Sequence, residues 1–189
     1  MIAGTARRIN LKTPEGLDTR PTQDRIKETL FNILQFDLEG QDVLDLFSGS
    51  GALGIEALSR GAKRAVFCDA AKQAVLCIEE NLEKTHFKEQ ALVLPGDYNG
   101  AINALMRKDY HFGLVFMDPP RAGSTEEFLL ALRRLAPEKI VYISCDPKTQ
   151  ARDLKYLDSA YAIRRIAPVD MFPFTDGIEN VVLLEKIHF

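Results

Sequence analysis

From residue 42 onward the chain alternates short apolar runs with helical stretches, and this rhythm limits the possible folds more than any other feature. The runs are DVLDLF (42–47), RAVFCD (64–69), ALVLPG (91–96), FGLVFMD (112–118) and KIVYISC (139–145). A weaker AIRRIAPVDMF (162–172) and NVVLLEKI (180–187) follow. Between them, ALGIEALSRG (52–61), AAKQAVLCIEENLEKT (70–85), YNGAINALMRK (98–108), STEEFLLALRRL (124–135) and PKTQARDLKYLD (147–158) read as helices. Strands that are apolar along their whole length are buried on both faces, so helices must lie above and below the sheet. Right-handed crossovers then give an α/β, doubly wound, mostly parallel sheet of Rossmann-like type. The last two runs lack an intervening helix and are expected to pair as an antiparallel hairpin at one edge.

Ahead of this core, the first 20 residues mix basic and β-branched types around a Pro14–Gly16 turn, which predicts a short arm or hairpin. Residues 20–34 read as a helix with Thr22 as N-cap, Asp24 in the first turn, and Ile26, Leu30, Phe31, Ile33 and Leu34 as its apolar stripe. A length of 189 residues suits one domain, with residues 21–189 forming its α/β core.

A net charge of −3 rules out a polycation, so any nucleic-acid contact needs a local basic patch. Arg7, Arg8, Lys12 and Arg20 are the candidates, in a stretch that also holds Arg25 and Lys27. The bland alternative is a solvated basic face. The three cysteines, Cys68, Cys77 and Cys145, form no CxxC pair, which argues against a disulfide framework or a four-thiolate metal site. No metal is expected, and reduced thiols suggest the cytoplasm. No apolar run approaches the roughly 20 residues that span a bilayer.

In open α/β sheets, ligands bind at the carboxyl ends of the strands. DLFSGSGALG (45–54) offers Asp45 and then Gly49, Gly51 and Gly54 before a helix. Glycines permit close backbone approach, and a helix start presents free N–H groups. Asp69 ends the next strand, where a carboxylate can accept both hydroxyls of a ribose. Asp97 ends the third. Three carboxylates on one rim disfavour a pyrophosphate and suit a ligand with an amine and a ribose. Taken singly, each acid could instead be a helix N-cap.

This stretch resembles the class I S-adenosylmethionine-dependent methyltransferases, whose first motif reads D-x-F-x-G-x-G. The resemblance implies S-adenosylmethionine as cofactor, with Asp45, Phe47, Gly49 and Gly51 near the methionine moiety, Asp69 on the ribose and Asp97 near the adenine. Thr22 and Asp118 join this set as further cofactor contacts. Residues 5–60, through LKTPEGLDTRPTQDRIKETLFNIL and LDLFSGSGALGIEALSRGA, resemble the RsmD family, which methylates N2 of a guanine in small-subunit ribosomal RNA. That family's Asp-Pro-Pro-Tyr motif reads DPPRAG (118–123) here, so Arg121 stands where the base-stacking aromatic is expected.

The second half resembles another family. DPPRAG, IVYISCDPKTQARDL (140–154) and VDMFPFTDGIENVVLLEK (169–186) are similar, in order, to motifs of the TrmA/RumA RNA uracil-C5 methyltransferases. Asp146 replaces that family's usual Asn, and the usual His before Glu179 is missing. The accessory RNA-binding domain of those enzymes has no counterpart in this sequence, which leaves RNA docking to the arm.

C5 of uracil is too weak a nucleophile to take a methyl group unaided. A thiolate added to C6 places electron density on C5, and a base must later remove the C5 proton. The resemblance implies Cys145 as the thiol, Glu179 as the base and Asp118 as a partner of the ring; Arg121 either fixes its loop or contacts phosphate. A helix starting at Pro147 would favour the thiolate, while Asp146 would oppose it. The alternative for Cys145 is packing. The leading expectation is therefore an enzyme acting on uracil C5 in RNA, ribosomal rather than transfer. Guanine-N2 methylation, or binding of S-adenosylmethionine or RNA without turnover, stay open.

Overall fold

The computed structural model describes residues 1–14, 24–170 and 178–188. The expectations for Arg20 and Thr22 lie outside the described residues.

Helix α1 (Asp24–Ile33) is followed by β1 (Asp42–Leu46), α2 (Ala52–Ser59), β2 (Arg64–Asp69), α3 (Lys72–Thr85), β3 (Ala91–Pro95) and α4 (Tyr98–Arg107). Then come β4 (Leu114–Met117), α5 (Glu126–Leu135), β5 (Lys139–Ser144), α6 (Pro147–Leu154), β6 (Tyr161–Asp170) and β7 (Ile178–Lys186). The strands form one sheet in the order β3-β2-β1-β4-β5-β7-β6. The first five are parallel, and β7 is antiparallel to both β5 and β6. The edge hairpin is thus present, with its second strand inserted against β5.

Alternation along the strands feeds two cores. In β1, Val43 enters the layer built with Leu30, Phe31, Ile55 and Phe67, while Leu44 and Leu46 enter the layer with Met117, Leu132 and Tyr142. Both layers are apolar, which is why the strands read as continuous apolar runs. At β6 the pattern was weak because this edge strand exposes Arg164, Arg165 and Pro168. Proline is tolerated at an edge, where its missing N–H costs no ladder bond.

The described part of the arm is not a hairpin. It contains no strand and is strapped over two helices instead. The N–H groups of Ile2 and Ala3 donate to the buried Glu56 carboxylate at 2.9 Å each. Thr5 and Ala6 donate to Ser59 near the end of α2. Further along, the Lys12 N–H donates to Asn81 of α3 at 2.8 Å. No helix among the described residues is long and apolar enough to cross a membrane.

Candidate active site

The chain leaves β1 toward β2 and β3, then returns to β4 on the other side of β1. The carboxyl ends of β1 and β4 therefore flank a topological switch point, where open α/β sheets form their ligand crevice. Phe47, Gly49 and Gly51 all adopt left-handed backbone at this point, with φ of 62°, 55° and 75°. Glycine does so freely; for phenylalanine it costs about 1 kcal/mol. The Phe47 ring offsets that cost through contacts with Tyr98, at 3.8 Å between centroids, and with Phe128 at 5.5 Å.

Side chains pin the loop. Ser48 Oγ donates to the Asp45 carbonyl and accepts from the Cys68 N–H at 3.0 Å. Gly49 N–H donates to Asp69 at 2.8 Å, and the other Asp69 oxygen accepts from Ala71. Gly54 N–H donates to Asp45 at 2.9 Å. Asp45 lies inside β1 rather than at its end, and only 1% of it is exposed. Burial, with Asp118 and Asp69 nearby, holds its carboxyl well above the usual carboxylate range despite the Gly54 bond. Asp97 is exposed and caps α4 by accepting from Gly100 at 2.8 Å. The rim thus carries one buried, one half-buried and one exposed carboxylate. A Cβ on Gly49 would meet nothing within 4 Å, so the loop faces open space beside Asp69.

The second cluster lies at the ends of β4, β5 and β7. Ser144 pairs with Asn180 across the β5–β7 ladder, so Cys145 comes next to Glu179 one step further on. Asp118, Arg121 and Glu179 are all close enough for their charges to act on the Cys145 thiol. Cys145 is half-buried and Glu179 is 9% exposed. Burial pushes the thiol up and Glu179 pushes it further, while Arg121 pulls it down.

The expected help from the α6 helix start is not there. Asp146 occupies that start, accepting from the Lys148 and Thr149 N–H groups at 2.9 and 3.1 Å. Those bonds hold the Asp146 carboxyl below its usual range and remove the free N–H groups that would have favoured a thiolate. Cys68 is fully buried in β2 and its thiol is pushed up to about 12, mainly by burial. Cys77 is also buried, which agrees with a packing role for both.

A family profile described as Conserved hypothetical protein 95 matches residues 1–163. The chain belongs to that family. The match agrees with the RsmD-like resemblance and stops short of the 169–186 segment that looked TrmA-like. This Conserved hypothetical protein 95 chain is 37% identical over 132 residues to a Bacillus subtilis protein provisionally named rRNA methyltransferase YlbH. That alignment covers 70% of this chain and 72% of YlbH. A crystal structure of the Pyrococcus abyssi tRNA (uracil-54, C5)-methyltransferase with S-adenosyl-L-homocysteine superposes with a TM-score of 0.68 at 32% identity. It covers 84% of this chain and 38% of that one. The Escherichia coli protein provisionally named methyltransferase yhhF superposes with a TM-score of 0.74 at 28% identity, covering 100% and 98%. The chain spans about a third of the length of the first curated relatives it matches.

Sequence reading of this Conserved hypothetical protein 95 chain missed three buried polar anchors. Glu56 ties the arm to α2. Asn81 donates to the carbonyls of Lys12 and Ser50, linking the arm to the glycine loop. Asp153 ties α6 to β5 and to the segment after Asp118. Glu56 and Asn81 showed only as polar residues within helical stretches, and Asp153 lay within the IVYISCDPKTQARDL block with no role assigned. Arg7 and Arg8 are exposed beside the far end of α2, about 12 Å of helix from the glycine loop. Lys12 lies nearer the loop and pairs with Glu80.

Proposed function

We propose that this chain is an S-adenosylmethionine-dependent RNA methyltransferase that acts on C5 of a uracil through a cysteine adduct. The observation that carries the reading is the adjacency of Cys145 and Glu179 beside Asp118 and Arg121. Its support among known proteins is the structural resemblance to a tRNA uracil-C5 methyltransferase; the sequence resemblance to YlbH supports methylation of RNA without favouring C5. The YlbH name favours ribosomal over transfer RNA as substrate.

The residues at the switch point fit the cofactor. Asp69 keeps a lone pair on each oxygen after accepting from Gly49 and Ala71, enough for two ribose hydroxyls. Asp97 would face the adenine, and Phe47, Gly49 and Gly51 would line the methionine moiety, with Asp45 holding their loop in shape. Thr22 remains an expectation for the same site. Bound S-adenosylmethionine supplies an electrophilic methyl group.

The chain's own residues do the rest. Cys145 loses its proton to solvent, which its partial exposure permits, and its thiolate sulfur forms a bond to C6 of the uracil. The C5–C6 electron pair moves toward C5 and the ring carbonyl. C5 would then accept the methyl group that bound S-adenosylmethionine supplies, leaving S-adenosylhomocysteine. Glu179 removes the C5 proton, the C5–C6 double bond re-forms and the sulfur–C6 bond breaks. Asp118 orients the ring, and Arg121 holds the loop or a phosphate. Arg7 and Arg8, with Lys12 and Arg20, would contact RNA flanking the target rather than the target itself.

A second reading has its own support. Membership of the family matched over residues 1–163 fits guanine-N2 methylation better than a cysteine adduct. A thiol held above its usual range agrees with that reading, because little thiolate forms at neutral pH. Asp118 and a backbone carbonyl would then accept from the exocyclic amine, and Cys145 would take no part. Labelled methyl transfer from S-adenosylmethionine to ribosomal RNA, followed by nucleoside mass spectrometry, separates the readings. The expected product is 5-methyluridine; N2-methylguanosine selects the second reading, and no transfer overturns both.

A further inference from the structure

Helix α6 touches each part of the proposed catalytic cluster. Its start follows Cys145 directly, and Asp146 caps it. In its middle, Gln150 donates to the carbonyls of Tyr142 and Asn180, and accepts from the Asn180 side chain at 2.7 Å. That ties β5 to β7 next to the Ser144–Asn180 pair, and so fixes the approach of Cys145 to Glu179.

The last turn of α6 holds the third part. Asp153 is fully buried. One of its oxygens accepts from the Tyr142 hydroxyl at 2.7 Å and from the Ser124 N–H at 2.8 Å. The other accepts from Arg152, whose guanidinium also donates to the carbonyls of Ala122 and Ser124. Gly123 lies so close beneath this network that a Cβ there would come within 2.3 Å of Thr149 and 2.7 Å of Asp153. It also has φ of 79°, so both conformation and space call for glycine. The segment 118–124 is therefore latched at its far end by a buried carboxylate that reaches it across α6.

We propose that Asp153 is a positioning residue for the methyl-transfer reaction: its carboxylate latches the 118–124 segment and so sets Asp118 and Arg121 against Cys145 and Glu179. This rests on the reading under Proposed function. Both Asp153 oxygens are engaged by protein groups, so it acts through Ser124, Tyr142 and Arg152. A latch is needed because no helix or strand covers residues 118–124, so backbone hydrogen bonding alone leaves that segment loose.

The test compares wild type with Asp153→Asn, which keeps the shape of the side chain but turns one acceptor oxygen into a donor facing other donors. Three quantities are read: amide hydrogen exchange by peptide, the dissociation constant of S-adenosylhomocysteine, and kcat against KM for methyl transfer to RNA. The expected result is faster exchange confined to residues 118–124, cofactor-product affinity within about twofold of wild type, and kcat reduced by about tenfold or more. Tyr142→Phe, which removes one donor and keeps the packing, serves if Asp153→Asn does not fold; it is expected to speed exchange at 118–124 and lower kcat by less, again with cofactor-product affinity unchanged.

Unchanged exchange at 118–124 overturns the latch, whatever the activity. Faster exchange with undiminished kcat overturns the positioning role. Loss of cofactor-product binding together with kcat also overturns it, since Asp153 would then support the whole fold. A wild-type protein that moves no methyl group to RNA overturns the functional reading, and the positioning role falls with it.

Discussion

Cys145 stands next to Glu179, one step beyond the Ser144–Asn180 pair that closes the β5–β7 ladder. Thirty-four positions separate them in sequence, and an antiparallel strand inserted against β5 is what brings them together. The same relationship sets their chemistry in opposition at rest. A neighbouring carboxylate disfavours the thiolate that the proposed reaction needs.

The thiol gives the first prediction. Burial and then Glu179 hold Cys145 above its ordinary value of 9.0, with Arg121 opposing. Alkylation by iodoacetamide should therefore rise steadily with pH through 9, without a plateau. Glu179→Gln removes a negative charge and should speed alkylation at pH 8 by about twofold or more; Arg121→Ala should slow it. Peptide mapping assigns the site. Slower alkylation in Glu179→Gln, or faster alkylation in Arg121→Ala, would contradict the arrangement.

Stability against pH tests Asp45. Burial raises its carboxyl well above the usual range in the folded protein. A carboxyl raised on folding contributes stability below its unfolded pKa of about 3.9, and that contribution is lost as pH rises through the folded value. Asp45→Asn does not titrate and keeps an acceptor for the Gly54 N–H. The stability of wild type relative to this variant should therefore fall as pH rises from 4 to 8. Urea unfolding at both pH values measures it, and a rising difference contradicts the burial of that charge.

Phe47→Gly sets two effects against each other. The change relieves left-handed backbone worth about 1 kcal/mol but removes a ring packed on Tyr98 and Phe128. Removing a well-packed phenylalanine costs about 3–5 kcal/mol when it is fully buried, and Phe47 is half-buried. A net loss of about 1–2 kcal/mol is expected in urea unfolding. A variant more stable than wild type would show that the ring does not hold the loop.

The inner parallel strands were legible because burial on both faces leaves a continuous apolar run, as in Leu114–Met117 and Ile140–Ile143. The glycine loop and the rim acids could be read for the same reason, since each follows such a run. The arm was ambiguous because its partners, Glu56, Ser59 and Asn81, lie 53 to 69 residues away in sequence. No local pattern distinguishes a strand pairing with itself from a strap over distant helices. Asp146 was read only as a charge beside a thiol, although Asp before Pro147 is also a helix-start signal. The Asp153 network was hidden because its carboxylate serves three segments that meet only in the fold.

The central claim is a bond between one sulfur atom and a pyrimidine carbon. RNA carrying 5-fluorouridine holds fluorine where the departing C5 proton would be, and no base can remove it, so the adduct should persist once the methyl group has moved. Intact-protein mass spectrometry after incubation with that RNA and S-adenosylmethionine reads it directly. The account predicts a stable protein–RNA adduct for wild type and none for Cys145→Ala. No adduct in wild type, with N2-methylguanosine formed equally by both proteins, would contradict it.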